Sequence, residues 1–380
     1  MGALILHGDT ERSPSMRHEL PVAIGDPFVL AVDEERTWIM CSLLERDRVA
    51  ACRPDAELLD IGELGFYELL ESGISRDELW LELTSRAVAR TGIRAAIVEF
   101  EFPLGLAERL RADGVSLTVD DPAVKLRRRS KSEAELAGIN RAQRAAEAAM
   151  FAARGLLDAA NVGGDRLELD GELLTAERVR AEMREVCWRQ GAILGLEAIV
   201  ASVWQGFGHE PGSGPLPARL PIEIDLWPRD EETGCWADMT RTFIVGGAPS
   251  DEVVRQEHLV AGALRSVTDA AWPGITGREL HAISCDVFER EGYRTQRTGP
   301  GEDENEGFQF SLGHGVGLEV HEDPSLGQTG YEPLVAGDVI AVEPGLWHRD
   351  VGGVRLEDLL LITDDGARVL TEFPYETRLG

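Results

Sequence analysis

The sequence predicts an α+β protein in which a smaller α/β domain precedes a larger domain of β-hairpins and flanking helices. Its 380 residues exceed the length at which a single hydrophobic core usually stops growing. In roughly the first 125 residues, short apolar runs typical of strands alternate with helical patterns. Beyond them the strand signals arrive as hairpins between long helices, which indicates antiparallel pairing and not a doubly wound parallel sheet.

The predicted N-terminal domain covers residues 1–127 and the predicted C-terminal domain residues 128–380. We expect a buried sheet in the first domain because strand-like and helical runs alternate there. No cluster of His, Cys and acidic residues occurs in it, so we expect it to carry no catalytic group. The boundary lies in the basic segment KLRRRSKSEAEL, which we interpret as a solvated or salt-bridged junction. The strand-like runs are 27–34, 36–43 and 93–102, and the helical runs are 75–91 and 103–114.

Helices of the C-terminal domain are predicted at about residues 132–157, 173–191, 250–271 and 276–292. Ser132 and Glu135 have the spacing of a capping box at the start of the first helix. Thr175 is an N-cap candidate for the second, and Gly191 lies near its other end.

The composition argues against several classes of partner. The formal net charge is −30, and so acidic a surface repels phosphate backbones and anionic lipids, so we expect neither a nucleic acid nor a membrane as partner. No apolar run reaches the ~18 residues that span a bilayer, and the apolar start is too short for a signal peptide. The five cysteines are widely spaced and form no zinc pattern. We therefore expect buried free thiols and a cytoplasmic location.

Two acids stand in consecutive strand-like segments of the C-terminal domain. Asp225 lies near the end of the strand-like segment LPIEIDLW, Asp238 lies in CWADMTRTFIV, and a segment with Pro and Gly at its ends connects them. On antiparallel strands these residues are expected to be nearly opposed, with Cβ atoms roughly 4.5–5.5 Å apart. Two bare carboxylates that close repel each other, and a bridging cation removes the repulsion. The alternative is a pair of surface acids on a solvated hairpin.

Glu343 and Glu357 repeat this arrangement. The segment VIAVEP is expected to pair with GVRLEDLLLIT across the loop GLWHRDVGG. Both acids interrupt apolar runs, where an unpaired carboxylate is costly. For Glu357 the alternative is a structural salt bridge to its same-face neighbour Arg355.

Histidines fall close to the same acids. His314 lies between glycines, His321 follows it by seven residues, and His209 precedes Asp225 by sixteen. A single histidine is more often structural than a ligand, but clustering with acids changes that expectation. Four carboxylates and one imidazole in one place require about four positive charges, which two divalent cations supply. The sequence therefore predicts a dinuclear metal centre with these ligands: Asp225, Asp238, His314, Glu343 and Glu357.

These segments resemble the pita-bread (M24-type) metallopeptidases, a group that contains methionine aminopeptidase, Xaa-Pro aminopeptidase and Xaa-Pro dipeptidase. The resemblance rests on the order D, D, H, E, E, on the fourteen residues from Glu343 to Glu357, and on the seven from His314 to His321. It implies a pita-bread catalytic domain. The extra N-terminal domain is similar to the one carried by the Xaa-Pro branch, and this implies a homodimer.

The resemblance also implies how the metals are held. Asp225 would chelate one cation, and Asp238 with Glu357 would bridge both. His314 and Glu343 would complete the other site. The expected ions are Mn²⁺ or Co²⁺, because oxygen-rich ligation favours harder cations, while one histidine also admits Zn²⁺ or Fe²⁺.

The catalytic residues that the resemblance implies are His209, His321, Glu343 and Arg355. Glu343 would manage the proton of a hydroxide held between the metals, and the two histidines would stabilise the oxyanion. Arg355 resembles the arginine beside the last ligand in the proline-directed branch. The implied reaction is hydrolysis of the N-terminal peptide bond before proline in a small peptide, as Xaa-Pro dipeptidase or Xaa-Pro aminopeptidase. The alternatives are a metal-dependent amidohydrolase on the same scaffold and a non-catalytic pita-bread binding protein.

Two features depart from the family pattern. The stretch between Asp225 and Asp238 is two residues longer, and we expect the hairpin turn to absorb them. Trp227 replaces a glycine that usually follows the first Asp-Leu, and we expect it to narrow the pocket.

Overall fold

The computed structural model describes residues 2–202 and 210–379. The chain divides into two compact units, Met1–Arg128 and Arg129–Gly380. Both combine sheets with helices, and the predicted α+β class is confirmed. That residues 1–127 fold as an independent domain stays a prediction.

The N-terminal unit is built on one mixed sheet covered by helices. Its elements are β1 (Ala3–Gly8), α1 (Pro14–Glu19), β2 (Phe28–Val32), β3 (Thr37–Cys41), α2 (Arg46–Cys52), β4 (Glu57–Asp60), α3 (Phe66–Glu71), α4 (Arg76–Thr91), β5 (Ala95–Val98), α5 (Leu104–Ala112), β6 (Ser116–Val119) and α6 (Asp121–Arg129). The strand order is β4-β3-β2-β1-β5-β6, with β1 antiparallel to β2 and parallel to β5. The apolar start of the chain therefore forms a central strand, which the sequence pattern did not identify.

The helices of the C-terminal unit agree with the predicted ones to within a few residues. They are α7 (Glu133–Asp158), α8 (Ala176–Arg189), α9 (Asp251–Ala270) and α10 (Gly277–Arg290). Ser132 and Glu135 form the predicted capping box of α7, and the Thr175 side chain caps α8. These side chains satisfy backbone N–H groups that the first turn of a helix leaves unpaired.

The strands of the C-terminal unit form two four-stranded sheets and smaller hairpins. They are β7 (Asn161–Gly163), β8 (Arg166–Leu169), β9 (Glu172–Leu173), β10 (Ala192–Ile193), β11 (Ile199–Ser202), β12 (Ile222–Leu226), β13 (Arg229–Asp230), β14 (Met239–Val245), β15 (Gly313–Gly315), β16 (Val339–Val342), β17 (Gly345–His348), β18 (Gly352–Arg355), β19 (Asp358–Thr363), β20 (Gly366–Val369) and β21 (Arg378–Leu379). The larger sheets have the orders β11-β12-β14-β21 and β15-β16-β19-β20. Helices α7 and α8 share an apolar core with the first sheet, and α9 and α10 share one with the second.

The structure shows the state of the cysteines and the apolar character of the helices. All five cysteines are free thiols, as predicted; four are buried, and Cys52 is half-buried. Within the described residues, no helix combines the length and the apolar character that crossing a membrane requires.

Candidate metal centre

Strand β12 separates its apolar and acidic side chains by simple alternation. Ile222 and Ile224 are fully buried in the core that β12 shares with α7 and α8. Because successive side chains of a strand point to opposite faces, Glu223 and Asp225 lie on the other face. Asp225 is buried there.

Asp238 lies diagonally across from Asp225. Residue Asp238 directly precedes β14, and the register of β12 and β14 places Asp225 opposite Thr240. Asp238, two residues before Thr240, shares its face but is offset from Asp225 along the strand. The prediction that the two aspartates are nearly opposed is therefore wrong in register, although both face the same side.

The connection between the two aspartates is anchored and is not a free turn. Within it, β13 pairs antiparallel with β10. The carboxylate of Asp230 accepts two hydrogen bonds of 2.9 Å from the guanidinium of Arg141 on α7. The β12–β14 register continues through the connection, where Arg229 lies opposite Trp236 and the Asp230 N–H donates to the carbonyl of Cys235. The turn is therefore centred one residue later than opposed aspartates require, and Asp225 falls opposite Thr240.

Glu343 and Glu357 extend a regular ladder. Strands β16 and β19 are antiparallel with Val342 opposite Asp358, so the next pair is Glu343 and Glu357, as predicted. The expected loop between them is wrong: β17 and β18 form a second hairpin in the same register, with Gly345 opposite Arg355. Pro344, which has no N–H to donate to a ladder, falls at the break between the two hairpins.

The imidazole rings of His314 and His321, the two site histidines that the structure describes, are in contact. His314 is in β15, and its ring centroid lies 4.2 Å from that of His321, with the rings nearly perpendicular. Nδ1 of His314 lies 3.1 Å from the carbonyl oxygen of Gly315, which can only accept, so Nδ1 carries the proton. Nε2 is thereby left with its lone pair towards the acids, 3.7 Å from both Asp238 Oδ2 and Glu343 Oε1.

All five predicted ligands converge. Within the described residues, three groups have potential ligand atoms that lie within 4.8 Å of one another. The first joins Asp225, Asp238 and Glu357, and the second joins His314, Glu343 and Glu357. A third joins Asp238 and His314 with His321. His209 lies outside the described residues.

The electrostatics of these acids are unfavourable for bare carboxylates. Burial and then the charge of Glu357 raise the pKa of Asp238 well above its ordinary value, and burial and then Glu343 do the same to the pKa of Glu357. Burial raises the pKa of Glu343 to about 7. Burial lowers the pKa of His314 to about 4, so its imidazole is neutral. A bound cation reverses the shifts of the three carboxyl groups, and it favours the neutral imidazole of His314 further.

The guanidinium of Arg355 forms ion pairs with three acids of the site. Its Nη2 lies 2.5 Å from Asp225 Oδ2 and 3.0 Å from Glu223 Oε1, and its Nη1 lies 3.5 Å from Glu343 Oε2. Burial alone would lower the pKa of Arg355, but the surrounding carboxylates raise it, Glu223 most strongly. The alternative of a salt bridge between Arg355 and Glu357 is wrong, because the Arg355 guanidinium pairs with Glu223, Asp225 and Glu343 instead.

The residues present fit a pair of divalent cations. Asp225 Oδ1 and Asp238 Oδ1 are buried and have no hydrogen-bond partner among the described residues. Five carboxylates, counting Glu223, share the single guanidinium of Arg355 around this site, which leaves four formal negative charges. Carboxylate oxygens with one neutral imidazole are a donor set that suits divalent metals such as Mn²⁺.

Two residues of the site were missed from the sequence. Glu223 has the period-two spacing to Asp225 that places both on one face, and this signal was available. Thr240 stands two residues after Asp238, and its hydroxyl donates a hydrogen bond of 2.8 Å to Glu357 Oε2. Nothing in the sequence pattern pointed to that bond.

The acids line a cavity of about 530 Å³. Its volume falls within the range of small-molecule sites. Trp227 lies in the wall, as does Val320 beside His321, and Glu197 and Pro211 complete the described lining outside the acid cluster and Arg355. A half-buried indole therefore faces the space in front of the acids.

Comparison with known proteins gives a consistent result. The family model Peptidase_M24, metallopeptidase family M24, matches residues 137–364. An Xaa-Pro dipeptidase of Pyrococcus horikoshii is 31% identical over 293 residues, which cover 76% of each chain.

Solved structures resemble the whole chain. The prolidase from Pyrococcus horikoshii OT3 matches with a TM-score of 0.74 and 25% identity, covering 99% of this chain and 95% of that one. The X-Pro aminopeptidase from Thermotoga maritima MSB8 matches with a TM-score of 0.79 and 22% identity, covering 100% and 98%. The predicted pita-bread fold with an additional N-terminal α/β part is confirmed.

Proposed function

Because this chain belongs to metallopeptidase family M24, we propose that it cleaves the peptide bond between an N-terminal residue and proline, using two divalent cations. The observation that carries the proposal is the convergence of five donors on one cavity. The orphaned oxygens of Asp225 and Asp238 support the presence of cations.

The ligand groups suggest how two cations would be shared. Asp225, Asp238 and Glu357 would hold one cation, and His314, Glu343 and Glu357 the other. Asp238 Oδ2 also lies 3.7 Å from His314 Nε2, so Asp238 and Glu357 are the two residues that would contribute to both cation sites. When bound, such cations supply Lewis acidity that lowers the pKa of water and polarises a carbonyl.

Side chains of the protein are proposed to supply the remaining catalytic roles. Glu343, whose carboxylate lines the cavity among the proposed ligands, is proposed to accept and return the proton of the attacking water. The exposed ring of His321 faces the cavity beside His314 and would donate to the oxygen of the scissile carbonyl as its charge develops. Arg355 holds Asp225 and Glu343 in orientation through two of its three ion pairs. His209 is proposed to assist His321, as the family resemblance implies.

The relatives support a proposal for the substrate class. The curated relative is an Xaa-Pro dipeptidase, and one solved relative is an X-Pro aminopeptidase. A cavity of about 530 Å³ accommodates a short peptide end. We propose a small Xaa-Pro peptide as substrate, with dipeptides and longer peptides as the two forms to compare.

The test is hydrolysis of Ala-Pro and Ala-Pro-Ala by protein reconstituted with Mn²⁺ or, separately, Co²⁺. Cleavage before proline that stops on chelation supports the proposal, and the ratio of the two rates separates dipeptidase from aminopeptidase activity. Ala-Ala serves as the control for proline selectivity, and Glu357→Gln protein serves as the control for a contaminating peptidase. Metal-dependent activity on acylated or cyclic amino-acid derivatives, with none on either peptide, would replace the proposal by an amidohydrolase.

Metal content and assembly are proposed with the same function. We expect two equivalents of Mn²⁺ or Co²⁺ per chain by elemental analysis after reconstitution, with Zn²⁺ and Fe²⁺ as competitors. We also expect a homodimer, so light scattering should give about twice the chain mass of 41.5 kDa. A cytoplasmic location stays a prediction.

A further inference from the structure

The loop that carries His321 is held by a buried ion pair that has no part in the proposed reaction. Lys131 Nζ lies 2.5 Å from Glu322 Oε1, and each of the two side chains is only 2% exposed. Glu322 directly follows His321, whereas Lys131 directly precedes Ser132, the N-cap of α7. The pair therefore connects a long helix to the histidine loop.

The backbone links this ion pair to both histidines. Gly315 and Glu322 exchange two backbone hydrogen bonds of 2.9 Å each. Because this bridge is antiparallel, His314 lies opposite Asp323, and His314 and His321 are diagonal neighbours on the same face. Their ring centroids are 4.2 Å apart. The position of Glu322 therefore sets the separation of the two rings.

The ion pair is enclosed by the loop itself. A Cβ atom at Gly317 would lie 2.5 Å from Glu322 Oε1 and 2.8 Å from Lys131 Cε, closer than real Cβ contacts. Lysine is also the exception in this chain: Lys125 and Lys131 are the two lysines among 38 basic side chains. An ammonium is more compact than the planar guanidinium of arginine, and it fits this enclosed position.

We propose that Lys131 is a positioning residue for the histidine pair. Its ammonium holds the Glu322 carboxylate, Glu322 holds the loop of residues 315–322, and the loop keeps the His321 ring against His314. The consequence for catalysis rests on the proposed function, in which His321 contacts the substrate. The consequence for ring placement does not depend on it.

The kinetic test compares Lys131→Met with Lys125→Met. The control removes the other lysine, whose side chain is 43% exposed and paired with Asp121 on α6. Lys131→Met should lower kcat roughly 10- to 100-fold, because small displacements of a positioned group have effects of that size. KM and the number of bound Mn²⁺ ions should change far less, and Lys125→Met should match the unsubstituted protein.

The second readout does not require activity. In metal-free protein with ¹³C-labelled histidine, the His314 and His321 rings should give a mutual nuclear Overhauser effect. That signal should persist in Lys125→Met and disappear in Lys131→Met. If it disappears while even the unsubstituted protein cleaves no Xaa-Pro peptide, the positioning role stands and the proposed function falls.

Retention of both the ring-to-ring signal and kcat in folded Lys131→Met protein would overturn the proposal and leave the pair a purely structural one. Should Lys131→Met fail to fold, Gly317→Ala takes its place, because its added methyl displaces the Glu322 carboxylate without removing a charge. The same loss of ring contact and of kcat is expected, and their retention in Gly317→Ala would equally overturn the proposal.

Discussion

Glu357 and Asp358 are consecutive, both nearly inaccessible at 2% and 1% exposure, and they face opposite sides of the same sheet. On one side lies the cavity face, formed by Asp225, Asp238, Glu343 and Glu357. On the other lies the back face, formed by Arg241, Asp358 and Tyr375. The two faces bury acids in different ways.

On the back face the acid has its own cation. Arg241 Nη2 lies 2.8 Å from Asp358 Oδ1, and the Tyr375 hydroxyl donates to Oδ2. Arg241 also donates to the backbone carbonyls of Thr240 and Glu357. Both carboxylate oxygens of Asp358 are therefore satisfied within the protein, as a buried charge requires.

On the cavity face the acids share one guanidinium, and some of their oxygens have no hydrogen-bond partner in the part of the chain that the structure describes. The comparison teaches that burial of an acid is not by itself a functional signal. An acid with a dedicated cation is structural, whereas acids that outnumber their cations indicate a site for a cation from solution.

The largest expected effect comes from the cavity face. Glu343→Gln keeps the shape of the side chain but removes both a ligand charge and the proposed proton acceptor. We expect kcat for Xaa-Pro cleavage to fall by about 10²- to 10⁴-fold. Steady-state kinetics at saturating Mn²⁺ measure this loss. Activity within a factor of a few of the unsubstituted protein would remove Glu343 from the proposed mechanism.

Neutralising the neighbouring acids should have opposite consequences for stability. Asp358→Asn leaves Arg241 buried without its counter-charge, which is expected to lower the free energy of unfolding by about 3–5 kcal/mol. Glu357→Gln relieves repulsion, and metal-free protein should unfold at an equal or higher urea concentration. Urea midpoints of the two metal-free variants test the contrast. Equal destabilisation by both would contradict the distinction between the faces.

The raised pKa of Glu343 should make the metal-free protein less stable as pH rises. Burial raises the folded-state pKa of Glu343 from 4.5 to about 7, so between these values the folded state binds more protons than the unfolded state. Its stabilising contribution is complete below pH 4.5 and is lost as pH rises through 7, on the order of 3 kcal/mol for this group.

Urea midpoints at pH 5 and pH 8 measure this loss. Saturating Mn²⁺ should offset it at pH 8, because the cation then takes the place of the protons. Glu343→Gln should show a smaller pH dependence in the absence of metal. A metal-free Glu343→Gln protein with the same pH dependence as the unsubstituted protein would contradict the expected contribution of Glu343.

The smallest effect concerns the uncharged wall of the cavity face. Trp227→Ala enlarges the space in front of the acids, and kcat/KM for peptides with a bulky N-terminal residue should rise about tenfold relative to Ala-Pro. Paired assays with Phe-Pro and Ala-Pro measure the ratio. Trp188→Ala is the matched control, since that indole is 65% exposed and lies outside the described cavity lining. An unchanged ratio would show that Trp227 does not limit substrate size.

Much of the fold and site was predictable because the signals are local. Ser132 and Glu135 marked a helix start through contacts within one turn. Glu343 and Glu357 were paired correctly because the register of β16 and β19 continues through the intervening hairpin. The offset of Asp238 from Asp225 depends on the position of the tight turn between Asp230 and Cys235, which the Pro and Gly at the ends of the connecting segment do not indicate.

The sequence by itself determined which donors are present, their order, and the alternation that turns Asp225 away from its apolar neighbours. These properties depend on residue chemistry and on backbone periodicity over a few residues. The tertiary structure decided which acids receive a cation of their own. Arg355 and Asp225 are 130 positions apart, and Arg241 and Asp358 are 117 apart. Charge compensation acts through space, so only the folded chain could assign Asp358 to structure and leave Glu357 to the candidate metal centre.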